Sequence, residues 1–335
     1  MAEDKRALVQ KVLNMEDAPR VPIGFWWHFV PKDKHSAGLQ DPSIFDTVVK
    51  KQKETYDILK PDFVKLMTDG YFSHPGVVEN DIRTVEDLKK IKPIGKDHPW
   101  IREQVALTKK AMEYMEGEVM VFYNIFAPMQ SMRMYIEYIF SDVDAFQDLI
   151  MNHPEDMAAA AKIIGDDTIA LMEALKEETA IDGIYYSVQT IQNEKADEAF
   201  HDKYVVPSDL QVLDAANELW DNNLIHICGI AGYHNDIPFY KKYKAKAYNW
   251  AVHTDNFSLK EGKELFNSAV IGGFDYKPHT LLEDGTDEEV EAFVKDLIEK
   301  TGKRGLIIGA DCAVPADIDL NRLAFVREVA EKYSR

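Results

Sequence analysis

The sequence has few cysteines, no long apolar run and fewer basic than acidic residues, and each shortage excludes a class of protein. Only 2 of the 335 residues are cysteine, too few for a disulfide framework. No apolar run approaches the ~18 residues that a membrane-spanning helix needs. The 39 Lys and Arg residues against 58 Asp and Glu residues give a net charge of −19. This charge disfavours nucleic acid and anionic membranes as direct partners.

The sequence also lacks internal repeats, low-complexity tracts and flexible linkers, which favours a single domain over residues 1–335. The first 14 residues are charged and contain no apolar core of the signal-peptide type. We therefore expect a cytoplasmic protein. Hydrophobic residues make up 46% of the chain, enough for a sizeable core.

Short β-rich runs alternate with amphipathic helical stretches along the chain. Eight runs are typical of strands: residues 20–27, 62–67, 119–124, 182–187, 223–228, 246–252, 268–273 and 305–310. Alternation of strands and helices predicts a parallel sheet, and eight units predict a closed (β/α)₈ TIM barrel of the α/β class. Capping boxes predict the starts of three helices, at Ser208 with Gln211, Ser258 with Glu261, and Thr286 with Glu289.

The connection after the second predicted strand, residues 68–118, is too long for a simple loop. Residues 68–100 are rich in turns and aromatic side chains, and a short helix is predicted to open at Thr84. We interpret residues 68–118 as a cap inserted over one end of the barrel.

A histidine and two cysteines fall where predicted strands end. His226 and Cys228 lie two residues apart in the fifth strand, so their side chains point to the same side. Cys312 follows the eighth strand in a polar loop, where no hydrophobic filler is needed. Barrel active sites lie at the carboxyl ends of the strands. One imidazole and two thiolates with an open fourth position would form a catalytic zinc site.

The alternative is that these three residues belong to an ordinary core. Free cysteine is usually a buried small hydrophobe, and a strand histidine can bond to the backbone. Strands five and eight are not adjacent in a barrel, so the ligands would have to meet across its mouth. From the residues alone, both interpretations stay open.

Several motifs make the sequence resemble the uroporphyrinogen decarboxylase superfamily. They are residues 18–22 (APRVP), 271–275 (IGGFD) and 309–312 (GADC), followed by Asn321, Leu323 and Phe325. Within that superfamily the chain resembles the methylcobalamin:coenzyme M methyltransferases and related corrinoid-dependent methyltransferases. Their zinc motif is His-x-Cys followed many residues later by Cys, and here it falls on His226, Cys228 and Cys312.

The resemblance implies a zinc-dependent methyltransferase in which these three residues hold Zn²⁺ and are catalytic. It would move a methyl group between a corrinoid, such as methylcobalamin, and a thiol or a methoxyl or methylamine compound. A corrinoid protein and a small-molecule methyl donor or acceptor are the implied partners.

Two alternatives remain. A metal-free carbon–carbon lyase of the uroporphyrinogen decarboxylase type would share Asp69, but that enzyme has an arginine-rich loop after the first strand. Residues 25–29 (FWWHF) contain no arginine. The other alternative is a non-catalytic corrinoid-binding protein.

Further residues at or after strand ends are predicted to bind the substrate: Trp26, Trp27, Asp69, Asn124, Tyr185, Gln189, His253 and His279. The tryptophans could line an apolar pocket for a corrinoid face or an aromatic methyl ether, although barrel packing also explains them. The polar side chains could orient the substrate, although loop hydrogen bonding is an equal explanation. His253 or Asp255 could also supply the fourth zinc ligand.

Overall fold

Eight parallel strands form the centre of the computed structural model, which describes residues 3–229 and 232–335. The strands are β1 (Ile23–Gly24), β2 (Phe63–Leu66), β3 (Met120–Phe126), β4 (Gly183–Val188), β5 (Leu224–Ile227), β6 (Ala247–Trp250), β7 (Ala269–Phe274) and β8 (Leu306–Ala310). Their order is β1-β8-β7-β6-β5-β4-β3-β2, and every hydrogen-bonded pair is parallel. The predicted (β/α)₈ barrel is confirmed.

Helices connect the strands and cover the outer face of the sheet. They are α1 (Lys5–Leu13), α2 (Ser43–Leu59), α3 (Pro75–Glu79), α4 (Val85–Leu88), α5 (Pro99–Glu113), α6 (Pro128–Arg133), α7 (Val143–Asn152), α8 (Pro154–Glu178), α9 (Glu198–Tyr204), α10 (Val206–Leu219), α11 (Val252–Asp255), α12 (Leu259–Phe266), α13 (Leu281–Asp284), α14 (Asp287–Thr301) and α15 (Leu320–Ser334). A π-helical turn, Met134–Ile139, follows α6. None of the described helices is long and apolar enough to cross a bilayer.

Side-chain caps set several helix starts. The predicted boxes at residues 258–261 and 286–289 are confirmed, and Thr84 opens α4 as predicted. The box at Ser208 is wrong, because α10 already begins at Val206. Ser208 therefore lies inside the first turn, where its hydroxyl donates to the carbonyl of Val205 (3.1 Å).

The first strand is much shorter than the predicted residues 20–27. Only Ile23 and Gly24 join the sheet, and they pair with β8 alone. Pro22 has no N–H to donate. At Gly24, a Cβ atom would collide with the ring of Phe63 on β2. The seam between β1 and β2 is thus filled by a side chain instead of a backbone ladder.

A buried ion pair ties this seam together. Asp62, fully buried, accepts hydrogen bonds from the backbone N–H of Ile23 (2.8 Å) and from Arg20 Nη1 (2.9 Å) and Nη2 (2.6 Å). The Arg20 side chain is 3% exposed, and Glu3 contacts it from the surface side. Asp62 thereby supplies the link between β1 and β2 that backbone pairing supplies elsewhere.

Two apolar clusters stabilise the fold. The larger one fills the barrel and the space between sheet and helices. The smaller one lies among α3, α4, α6, α7 and α8 and includes Val77, Leu88, Phe146 and Ile164. Helix α5, by contrast, packs between α2 and α8 in the outer layer. The interpretation of residues 68–118 as an inserted cap stays a prediction.

A carboxyl group on α10 is buried behind β4. Asp209 is 2% exposed and accepts a hydrogen bond from the hydroxyl of Tyr243 (2.8 Å). Burial raises the pKa of Asp209 to about 7, against the lowering effect of that hydrogen bond. The folded protein therefore holds a proton that an unfolded aspartate would release well below neutral pH.

Replacing Asp62 by alanine should lower the free energy of unfolding by about 3–5 kcal/mol, because it leaves the buried Arg20 charge without its partner. Urea denaturation measures the change. Glu3→Gln, which alters the half-exposed contact of the same arginine, is the matched control and should cost under about 1 kcal/mol. Equal losses in the two variants would contradict the role given to Asp62.

Replacing Asp209 by asparagine should remove a pH-dependent loss of stability. In the native protein, proton release on unfolding lowers the free energy of unfolding as the pH rises from about 4 towards 7, by at most ~1.4 kcal/mol per pH unit. Relative to wild type, Asp209→Asn should thus gain stability steadily over that range. Urea titrations at several pH values measure it, and exposed Asp214→Asn on the same helix is the control. A pH-independent difference would contradict the expectation.

Candidate active site

The ends of β5 and β8 bring His226, Cys228 and Cys312 together. Their donor atoms lie within 4.8 Å of one another, and His226 Nε2 is 3.5 Å from Cys312 Sγ. All three side chains are buried. Two strands, β6 and β7, separate β5 from β8, so the donors meet across the mouth of the barrel.

Strand register aims these side chains into the barrel. His226 on β5 is the register partner of Ser187 on β4 and of Asn249 on β6. The backbone N–H of Cys228 donates to the carbonyl of Val188 (2.8 Å), which extends this pairing beyond β5. The polar residues at the ends of three neighbouring strands therefore face the same interior space.

The Asn249 amide fixes the orientation of His226. Its Nδ2 donates to the carbonyls of Ile271 (2.9 Å) and Ala310 (3.1 Å). Its Oδ1 therefore faces Nδ1 of His226 and accepts a hydrogen bond from it. His226 thus carries its proton on Nδ1 and presents the Nε2 lone pair to the two sulfur atoms. This is how protein metal sites orient a histidine ligand.

A small cavity opens beside the three donors. Apart from the three donors, its lining residues are Trp26, His28, Lys65, Met67, Asn124, Phe126, Met134, Ser187 and Ala313. The ring centre of Trp26 lies 5.8 Å from that of His226, edge to face. The cavity is mostly apolar with a few polar groups, which is the usual composition of a small-molecule site.

A buried lysine supplies positive charge to this cavity. Lys65 on β2 is 7% exposed, and its Nζ lies 4.5 Å from the ring centres of both Trp26 and Tyr185. Burial lowers the pKa of Lys65 to about 8, while Cys312, Cys228 and Asp69 act in the opposite direction. Aromatic faces can stabilise a cation that has left water.

The two thiols strongly affect each other. The hydrogen bond with Cys228, followed by burial, raises the pKa of the Cys312 thiol well above its usual value, and the Lys65 ammonium lowers it. A divalent cation between the sulfurs would reverse this balance, because coordination favours the thiolate. The imidazole and the two thiols are donors that suit zinc.

Three of the predicted substrate-binding residues surround this cavity. Trp26 and Asn124 line it. Tyr185 lies behind Lys65, with its ring centre 5.1 Å from that of Trp26. The buried hydroxyl of Tyr185 and Oδ1 of Asn124 have no hydrogen-bond partner among the described residues.

The other predicted substrate-binding residues lie elsewhere or are bonded to protein groups. Trp27 lines the β1–β2 seam and an outer groove, and Gln189 lines a neighbouring groove of about 710 Å³. Asp69 bonds to His28 (3.1 Å). His253 bonds to Asp311 (3.0 Å), and exposed His279 bonds to Asp284 (3.2 Å).

Sequence reasoning missed Lys65, Asn249 and His28. A signal existed for two of them, since a lysine and an asparagine within short apolar strands need an internal partner. No sequence signal indicates that His28, adjacent to the two tryptophans, faces the same cavity as the cysteines.

The sequence profile of the uroporphyrinogen decarboxylase (URO-D) family matches residues 71–333. The chain belongs to the uroporphyrinogen decarboxylase family. Within this family it is similar to the methylcobamide:CoM methyltransferase MtbA of Methanosarcina mazei, 26% identical over 259 residues, which cover 77% of this chain and 72% of that protein. The Methanosarcina acetivorans MtbA is 23% identical over 67% of this chain and 62% of its own length. The predicted resemblance is confirmed.

Solved structures of low sequence identity share the fold. A methyltransferase from Methanosarcina mazei superposes with a TM-score of 0.67 at 14% identity, over 99% of both chains. A B12-independent methionine synthase from Shewanella sp. W3-18-1 gives a TM-score of 0.56 at 14% identity, over 93% of this chain and 98% of that one. These likenesses support the barrel architecture.

Replacing Lys65 by methionine should raise the pH at which the cavity thiols ionise, by about one unit, because it removes the nearby positive charge. Ultraviolet thiolate absorbance of metal-free protein, followed against pH, measures the shift. Lys51→Met is the control, since the Lys51 ammonium donates to the Phe29 carbonyl (2.9 Å). An unchanged ionisation curve would show that Lys65 does not act on the thiols.

Proposed function

We propose that this protein is a zinc-dependent methyltransferase that moves a methyl group between a corrinoid and a thiol, or a methoxyl or methylamine compound. The convergence of His226, Cys228 and Cys312 at the barrel mouth carries the proposal. The similarity to methylcobamide:CoM methyltransferases supports it independently of that geometry.

The three donors fit a zinc ion. Their donor atoms lie within 4.8 Å of one another, and Asn249 already holds the imidazole in the tautomer that a ligand needs. When bound, zinc would supply Lewis acidity that lowers the pKa of a substrate thiol. Three protein donors leave a fourth position for the substrate.

The chain's own residues would bind and orient the small substrate. Trp26, Phe126 and Met134 form apolar walls that exclude water. Lys65 would balance part of the negative charge that accumulates when several sulfur ligands share one site. Oδ1 of Asn124 and the hydroxyl of Tyr185, which lack a hydrogen-bond partner within residues 3–229 and 232–335, could bond to the substrate.

A corrinoid would have to react from outside the cavity. The corrin macrocycle is far larger than this small cavity. We therefore propose that the corrinoid docks over the carboxyl ends of the strands, carried by a separate corrinoid protein. The groove of about 710 Å³ lined by Lys32, Gln130 and Tyr138 extends the surface available there.

A decarboxylase of the uroporphyrinogen type is the second candidate, favoured by family membership and by Asp69. The carboxylate of Asp69, however, is bonded to His28 and accepts hydrogen bonds from the backbone N–H groups of Phe29 (2.5 Å) and Val30 (3.3 Å). Arg133, at the edge of the neighbouring groove, is neutralised by Glu137 (2.7 Å). Decarboxylation of uroporphyrinogen by metal-free protein would establish this candidate instead.

Purified protein should contain about one zinc per chain, and Cys228→Ser and Cys312→Ser should each lose it, because two remaining protein donors hold zinc poorly. Elemental analysis measures the metal, and an assay of methylcobalamin with a thiol measures methyl transfer. Both should fall together in the two variants.

Ser187→Ala is the matched control, since Ser187 lines the same cavity without offering a metal ligand of comparable strength. It should keep its zinc. Full metal occupancy in both cysteine variants would refute the proposed site. Cobalamin binding without zinc and without methyl transfer would indicate a non-catalytic corrinoid-binding protein.

A further inference from the structure

One histidine borders both the cavity that holds the thiols and the outside of the barrel. His28 lines the cavity beside His226, Cys228 and Cys312. It also lines an outer groove of about 640 Å³, together with Lys51 and Glu54. Its side chain is 23% exposed. No other described residue lines both the cavity and this groove.

A fully buried carboxylate orients this histidine. Asp69 Oδ1 lies 3.1 Å from Nδ1 of His28. Asp69 Oδ2 accepts hydrogen bonds from the backbone N–H groups of Phe29 (2.5 Å) and Val30 (3.3 Å), so the carboxylate cannot rotate freely. Although burial opposes it, His28 and these bonds lower the pKa of Asp69. An ionised Asp69 keeps a proton on Nδ1 and leaves Nε2 of His28 as the basic nitrogen.

A second histidine, His35, packs against the ring of His28. The ring centre of His35 lies 4.2 Å from that of His28, and its Nε2 bonds to the carbonyl of Val30 (3.1 Å). Burial, with the nearby His28, lowers the pKa of His35 to about 4. His35 therefore packs against His28 as an uncharged ring. The His35 ring and the Asp69 carboxylate therefore hold the His28 ring between them.

We propose that His28, held by Asp69, is the acid–base residue of the methyl transfer and passes the proton between the cavity and the outer groove. This inference rests on the proposed function. When a thiol is methylated, its S–H bond breaks, and the proton goes to Nε2 of His28. The sulfur electron pair forms the S–C bond, and the electrons of the Co–C bond stay on cobalt, which is reduced from Co(III) to Co(I).

The reverse direction needs the same group. When the methyl group leaves a methoxyl oxygen for Co(I), the O–C bond breaks and the oxygen must gain a proton, which His28 would donate. Apart from His226, which is a proposed zinc ligand, the other basic side chain described as lining the cavity is Lys65. Lys65 is 7% exposed and enclosed by Trp26 and Tyr185. Of His28 and Lys65, only His28 also lines the outer groove.

His28→Gln should lower kcat for methyl transfer from methylcobalamin to a thiol by about 100-fold with little change in KM, because it removes proton transfer and keeps the cavity. The pH–rate profile should lose one limb, and added imidazole should restore part of the rate. Asp69→Asn should show a smaller loss, since its amide N–H favours the wrong tautomer of His28. An indicator dye should show slower proton release when the thiol binds.

The matched control is His74→Gln, which breaks another buried Asp–His pair, between His74 at the start of α3 and Asp167 on α8 (3.0 Å). It should keep the shape of the pH–rate profile. The other titratable groups that face His28 are unchanged in both His28→Gln and His74→Gln. They are Asp69, His35, Lys65, Cys228, Cys312, Lys51 and Glu54.

Wild-type kcat and an unchanged pH–rate profile in His28→Gln would overturn the proton transfer role and leave the methyl transfer intact. Absence of methyl transfer in the wild type would instead overturn the proposed function itself. The donor atoms of His28, His35 and Asp69 lie within 4.8 Å of one another. A second zinc per chain that disappears in His28→Gln would therefore also overturn the role, because a metal would occupy the basic nitrogen.

Discussion

The amide of Asn249 links the parts of the barrel on which the candidate site depends. One side chain bonds to His226 on β5 and to the carbonyls of Ile271 on β7 and Ala310 on β8. It therefore spans the two strands that separate the histidine from the last cysteine. An apolar residue there would leave two carbonyls and an imidazole N–H unsatisfied in the core. The asparagine makes the distance between β5 and β8 a fixed property of the fold.

Charged side chains in the interior also have partners close to them. Asp62 is matched by Arg20, and Asp69 by His28 and two backbone amides. Lys65 is stabilised by two aromatic faces, and its positive charge lowers the pKa of the Cys312 thiol. Buried ionic groups are costly unless they are paired. The surroundings of Lys65 therefore suit a chemistry in which negative charge develops on sulfur.

The strand count could be predicted from the sequence, because hydrophobic alternation is a local signal. Residue spacing placed His226, Cys228 and Cys312 at strand ends, but from the residues alone an ordinary core stayed an equal explanation, and the family resemblance favoured the metal site. The short β1 could not be predicted, since its length depends on Phe63 occupying the space beside Gly24. The capping pattern at Ser208 predicted the wrong start for α10, which begins at Val206. Lys65 and His28 were missed because their importance arises only when β1 and β2 bring them beside residues far along the chain.

The pairing of β1 with β8 has a consequence for how the protein is made. Residues near the two ends of the chain, Ile23 and Ile308, are sheet neighbours, and Cys312 follows the same last strand. During synthesis Cys312 follows His226 and Cys228, so the third donor becomes available only after strands β1 to β7 have been made. Closure of the barrel and assembly of the three donors therefore both depend on β8, the last of the eight strands in chain order.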